Sequence, residues 1–252
     1  MTRVIAFLSG KGGVGKTFLV ANLGVALVEM GKSVTVVDGN LTTPNLALHL
    51  GMSFFPKTIH DVLKGRATLL EAIYEHDTGL RVIPAGISIN DLRNVDARDF
   101  APALLELVGK EEIVLIDAAA GLGREALAAI EASDEAIFVT NPELPAVLDA
   151  LKASKMAEQL GVKVTGCVLN RVTRKSFELS AREIGELIDM EILGEIPEDE
   201  TVKKAIALRV PVVVYDPRAR ASVAIKQIAA RLIGARYEER IPWYKRIFPF
   251  LR

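Results

Sequence analysis

The stretch LSGKGGVGKTFLV (residues 8–20) constrains the fold more than any other part of the chain. It joins the β-branched apolar run RVIAFLS (3–9) to KTFLVANLGVALVEMG (16–31), a helical segment with Gly31 as its natural stop. Between strand and helix stand Gly10, Gly12, Gly13 and Gly15. Residues without a Cβ let successive backbone N–H groups turn inward and wrap an anion. The following helix aims its positive end at the same point. The turn therefore reads as a phosphate cradle.

Gly10-Lys11-Gly12-Gly13-Val14-Gly15-Lys16-Thr17 fits G-x-x-x-x-G-K-[ST] throughout. In that pattern Lys16 reaches the β- and γ-phosphates of a nucleoside triphosphate, and the Thr17 hydroxyl ligates Mg²⁺. A rival reading exists, because Gly10, Gly12 and Gly15 also spell G-x-G-x-x-G. Asp38 lies 23 residues after Gly15, close to where a dinucleotide fold keeps its ribose-binding acid. The Lys16-Thr17 pair separates the two: a triphosphate with its metal needs it, a dinucleotide turn does not.

The rest of the chain alternates in the same way. Candidate strands are 33–38, 80–85, 112–117, 135–140, 163–170 and 191–197, and candidate helices are 97–109, 124–133, 144–161, 178–189 and 220–234. VPVVVYD (210–216) reads as a loop or a further strand. Several strands are continuously apolar, as expected where both faces of a parallel sheet are covered. The expected fold is α/β: one doubly wound, mostly parallel sheet flanked by helices, in a single domain over 1–234, with a different tail over 235–252. Of the 252 residues half are hydrophobic, and the net charge is −1, which argues against binding nucleic acid over the whole surface. His49, His60 and His76 lack metal-ligand spacing and read as surface or boundary residues. The single cysteine, Cys167, lies in an apolar run and excludes an internal disulfide and a cluster held within one chain.

Lys11 is an addition to the general motif. The form K-G-G-x-G-K-T resembles the deviant Walker A motif of the MinD/ParA/nitrogenase iron-protein family. That resemblance implies an ATP·Mg²⁺ site in which Lys11 crosses a dimer interface to the partner's phosphates, so that ATP joins a homodimer and hydrolysis to ADP releases it. VVDGNLTTPNLALHLG (36–51) resembles the family's switch I, and VLIDAAAGLG (114–123) its switch II. The resemblance makes Asp38 and Asp117, with Thr17, the metal-side residues, and Lys11, Lys16, Asp38, Asn40 and Asp117 the catalytic set. It places Gly10 to Phe18 around the phosphates. Asn170 and Arg171 in VLNRV, with Pro197, Glu198 and Asp199, fall at the adenine. The cysteine count sets aside the iron–sulfur branches, so no cluster is expected. MinD and ParA remain, with MinD the nearer.

Three positions depart from the family pattern. Asn40 stands where an aspartate usually positions the attacking water, and an amide cannot accept a proton as a carboxylate does. Phe18 replaces a threonine, though its backbone N–H remains. Ala119 replaces the switch II proline. The expectation is an ATP binder with slow hydrolysis; the alternative is that water supplies what Asn40 lacks and turnover is ordinary for the family.

The tail RIPWYKRIFPFLR (240–252) carries four aromatic and four basic residues and no acid. On a helix Tyr244, Ile247, Phe248 and Leu251 share one face, flanked by Lys245 and Arg246, with Trp243 at its start. Such a segment suits an anionic membrane surface, although Pro249 disturbs its last turn. The competing reading folds these aromatics back onto the domain. The resemblance, taken with this tail, implies a cytoplasmic, MinD-like ATPase, peripheral on the inner face of the cell membrane. The resemblance alone implies a role in placing the division site, with a regulatory protein as partner. A ParA-like DNA-segregation ATPase, which would need a basic patch, and an ATP-bound scaffold with little turnover are the alternatives.

Overall fold

The computed structural model describes residues 2–88, 90, 91 and 95–237; the tail residues from 238 onward, including Trp243, Tyr244, Lys245, Arg246, Ile247, Phe248 and Leu251, lie outside them. The first half runs β1 (Arg3–Leu8), α1 (Lys16–Glu29), β2 (Val34–Gly39), α2 (Leu46–His49), α3 (Ile59–Leu63), β3 (Tyr74–Glu75), β4 (Arg81–Ile83) and α4 (Phe100–Leu104). Then follow β5 (Ile113–Ala118), α5 (Arg124–Glu131), β6 (Glu135–Thr140), α6 (Leu144–Gln159) and β7 (Lys163–Val172). The last elements are α7 (Ala181–Ile188), β8 (Ile192–Pro197), α8 (Glu200–Ala207), α9 (Val212–Tyr215) and α10 (Arg220–Leu232).

The strands form one sheet in the order β3-β4-β2-β5-β1-β6-β7-β8, parallel at every pair except the short β3–β4 edge. Its strands separate two cores by simple alternation. Ile5 and Phe7 of β1 face the layer that contains α1 and α10, while Val4, Ala6 and Leu8 face the layer of α3 to α7. Helix α1 is buried nearly all round, because α2, α9 and α10 cover the side that the sheet does not. Strand β1 is central, paired with β5 on one side and β6 on the other. The chain winds outward in opposite directions from that point. A crevice therefore opens at the C-terminal end of β1, where the glycine-rich turn begins.

The doubly wound sheet matches the expectation, but four local details differ. The helix expected over 97–109 is broken into a 3₁₀ turn, the five-residue α4 and a second 3₁₀ turn. Pro102 explains the break: it lacks an N–H and its ring would meet the carbonyl of residue 98 in a continuous helix. The valine-rich segment 210–216 forms helix α9 instead of a loop or strand. There Val212 and Val213 are buried, the Asn22 side chain accepts from the Val213 amide at 3.2 Å, and the Ser222 hydroxyl donates to the Val212 carbonyl at 3.0 Å. Packing overrides β propensity. His60 is fully buried, not at the surface, and its Nδ1 accepts the Gly86 amide at 2.9 Å. Short elements α2, α3 and β3 carry too few periodic residues to stand out in the sequence, and the eight-residue α8 begins inside the 194–205 stretch expected as a loop over the base.

Candidate functional site

Residues 9 to 17 carry the chain from β1 into α1. Two glycines are required there for different reasons. Gly15 has φ +94°, and a Cβ on it would lie 2.1 Å from the Asn170 amide nitrogen. Gly10 has no such φ, but its Cβ would strike the Asp149 backbone of α6 at 2.2 Å. Helix α1 begins at Lys16 with no side-chain cap, so its first amides keep their hydrogen-bonding capacity for a ligand.

Lys16 is only 7% exposed; its Nζ sits 2.8 Å from Asp117 Oδ1 and also donates to the Ala118 carbonyl. Asp117, next to last in β5, lies directly opposite Asp38 on β2. Asp38 Oδ1 accepts the Asn40 amide at 3.2 Å, and Oδ2 accepts those of Asn45 at 3.1 Å and Leu46 at 3.0 Å. Those bonds fix the start of α2 and hold the loop from Asn40 to Leu46 against the sheet. Burial, and secondly the negative charge of Asp117, push the Asp38 carboxyl up to about 7. Asp117 Oδ2 is buried without a hydrogen-bond partner.

That orphaned oxygen, the neighbouring Asp38 and the Thr17 hydroxyl form an oxygen donor set suited to a hard divalent cation such as Mg²⁺. Among the described residues no group of three or more His, Cys, Asp or Glu gathers as a metal cage. A cation here would take its remaining oxygens from water and phosphate, as Mg²⁺ commonly does.

Above the turn lies a cleft of about 670 Å³, walled by Gly12 to Phe18, by Asn40, Thr42, Thr43, Asn45 and His49, and by Ala119, Ala120 and Gly123 to Glu125, with Arg171 and Ile206 beside them. A smaller pocket of about 230 Å³ shares Gly15, Phe18, Arg171 and Ile206 with it and adds Asn170, Pro197, Glu198 and Asp199. Expected phosphate and base positions thus fall in adjoining pockets. Phe18 is 5% exposed and packs in the α1 core, so this departure from threonine supplies an apolar wall. Asn170 donates its side-chain amide to the Val14 carbonyl at 2.7 Å, tying the base side to the turn. Asp199 caps α8 through the Thr201 amide at 2.9 Å.

Some expected residues stand apart. Asp38 and Asp117 are buried and do not wall the large cleft, and Asp38 instead borders a separate cavity on the far side of switch I. Lys11 is also absent from the cleft wall; its Nζ lies 3.5 Å from Glu143 in an exposed pair. Asn40 turns its side chain onto its own loop, donating to the Thr43 carbonyl at 2.8 Å and accepting from the Thr43 hydroxyl at 3.1 Å. Burial pushes the Cys167 thiol up to about 12, which makes it an inert core residue.

Sequence reasoning passed over Thr42, His49, Arg124, Glu125, Val202, Lys203 and Ile206. Glu125 links the first turn of α5 to the loop after β2: it accepts the Thr42 amide at 3.3 Å and the Thr42 hydroxyl. The only signal was its place in the first turn of a helix that follows switch II.

The model of the CobQ/CobB/MinD/ParA nucleotide binding domain matches residues 5–212. An uncharacterized ATP-binding protein of Methanocaldococcus jannaschii is 41% identical over 248 residues, covering 98% of this chain and 94% of its own. Among solved structures, the septum site-determining protein MinD of Pyrococcus horikoshii complexed with Mg-ADP superposes with a TM-score of 0.89 at 36% identity, covering 92% of this chain and 96% of that one. The MinC:MinD cell division complex of Aquifex aeolicus contains a chain that matches with a TM-score of 0.83 at 29% identity, covering 95% and 99%. With a family model over most of its length and a full-length relative above 40% identity, the chain belongs to the CobQ/CobB/MinD/ParA nucleotide-binding family.

Proposed function

We propose that this protein is a MinD-like ATPase that binds ATP·Mg²⁺, dimerises on ATP and is reset by hydrolysis. The observation that carries the reading is the glycine turn with Lys16 beside Asp117, whose second oxygen is buried and unpartnered. Lys16 holds the β- and γ-phosphates, with the amides of Gly12 to Phe18 around them. Asn170, Arg171 and the 197–199 segment frame the base, with Phe18 and Ile206 as apolar walls. Thr17, Asp38 and Asp117 hold the cation, directly or through water, and the cation when bound neutralises phosphate charge. Because Lys16 is paired with Asp117, phosphate entry must draw its ammonium from one anion to another. That exchange offers a direct route from the nucleotide to switch II.

Lys11 lies outside its own cleft wall, as suits a lysine serving a partner's phosphates. The dimer, the tail-dependent attachment to the inner face of an anionic membrane, a regulatory protein partner and a role in division-site placement complete the reading. Among the described residues no helix is long and apolar enough to cross a membrane, so attachment would rest on the amphipathic tail over 235–252. Single tails bind weakly and two in a dimer bind together, so ATP would control the attachment.

Liposome co-sedimentation with ADP and with ATP, comparing the full chain with one ending at Gly234, tests this with phosphate release recorded in parallel. Sedimentation of the full chain alone, greater in ATP, supports it. Equal sedimentation of both chains, or none, removes the membrane function. ATP binding without phosphate release would favour the scaffold reading.

A further inference from the structure

Hydrolysis needs a group that can orient water and take its proton, and the cleft offers few. Asp38 is occupied by three backbone amides, and Asp117 faces Lys16. Asn40 is an amide whose nitrogen and oxygen are both bonded to Thr43. Only Glu125 and His49 among the side chains walling the cleft are ordinary proton acceptors.

Glu125 is the better placed of the two. It projects from the first turn of α5, immediately after switch II, and binds switch I at Thr42, two residues beyond Asn40. Its carboxylate therefore lies where both switches meet. Each oxygen accepts one bond from Thr42 and keeps further lone-pair capacity for water. His49 lies at the end of α2, past the amides that bind Asp38.

We infer that Glu125 supplies the carboxylate that position 40 lacks, orienting the attacking water and accepting its proton; this rests on the ATPase reading above. The water oxygen bonds to the γ-phosphorus as the bond from that phosphorus to the β–γ bridging oxygen breaks. ADP leaves with the bridging electron pair, the water proton passes to Glu125, and Glu125 returns it to solvent. Asn40 shapes the switch I turn, and chemistry has moved to the facing helix.

The test uses the full chain and compares Glu125→Gln, Thr42→Val, His49→Gln and Glu125→Gln combined with Asn40→Asp. Phosphate release, ATP affinity and mass in solution are measured for each. Glu125→Gln should lower kcat about 100-fold or more while leaving ATP affinity within about threefold. It should also prolong the ATP-bound dimer. Adding Asn40→Asp should recover kcat to within about tenfold of wild type by returning a carboxylate to the facing switch. Thr42→Val removes the hydroxyl bond and keeps the carboxylate, so it should cost less than Glu125→Gln.

Wild-type kcat in Glu125→Gln overturns the inference and leaves the ATPase reading intact. So does a loss in Thr42→Val equal to that in Glu125→Gln, which would make Glu125 a latch, or a loss confined to His49→Gln. A wild-type protein that binds ATP without releasing phosphate overturns both.

Discussion

The two walls of the nucleotide cleft are built on different principles. The glycine-turn wall is continuous in sequence: Ser9 to Phe18 run from a central strand into a buried helix, and Gly10 and Gly15 each answer a steric demand at their own positions. The switch wall is assembled from a distance. Thr42 and Glu125 are 83 residues apart, and Asp38 and Asp117 meet only because β2 and β5 are neighbours. Changes in the first wall should therefore damage fold and binding together. Changes in the second should separate them.

Gly15→Val should be the most damaging. A branched side chain at φ +94° would sit in the space of the Asn170 amide, and we expect a stability loss above about 5 kcal/mol with ATP binding abolished. Chemical denaturation with nucleotide titration checks both. If this variant kept wild-type stability, the turn would be less tightly specified than its geometry requires.

Lys16→Ala comes next, since it leaves Asp117 buried beside an empty space. Loss of one member of a buried pair commonly costs about 3–5 kcal/mol. Adding Asp117→Asn should restore stability without restoring ATP affinity, as shown by denaturation and equilibrium binding. Recovery of both would contradict the assignment of Lys16 to phosphate.

Asp38, buried beneath the second wall, gives a pH test of what supports it. Its folded value of about 7 lies above the ordinary 3.8, so between those values the folded chain binds more protons than the unfolded one. The stabilising contribution is fully present below about pH 3.8 and is lost as pH rises through about 7. In nucleotide-free protein, Asp38→Asn should therefore reduce the fall in stability between about pH 5 and about pH 8. An unchanged difference between the two pH values would show that Asp38 titrates in its ordinary range.

Thr42→Val should have the smallest effect on folding. Its bonds to Glu125 are exposed, and we expect less than about 1 kcal/mol. A larger loss would mean that the two switches stabilise the domain as a unit.

The same contrast explains what was legible in the sequence. The turn, the parallel sheet and the strand-end acids could be read because their signals are local: glycine spacing, Lys16-Thr17 and apolar runs that end in Asp38 and Asp117. Glu125 could not be read, because nothing near it in the chain shows that Thr42 lies opposite. Helix α9 was misread because Val212 and Val213 favour a strand until Asn22 and Ser222 bind their backbone. His60 was misplaced because spacing does not reveal the Gly86 amide that accompanies its burial. Pro102 was in plain view, but the apolar periodicity around it outweighed the break that it causes.

The most direct test is the mass of the protein in solution with ADP and with ATP, for the wild type and for Lys11→Ala, with ATP affinity measured alongside. Lys11 is exposed and outside its own cleft wall. The expected result is a wild type that doubles in mass only with ATP, and a Lys11→Ala variant that binds ATP but stays monomeric. A wild type that remains monomeric with saturating ATP, or a variant that dimerises as well as the wild type, would contradict the ATP-joined dimer.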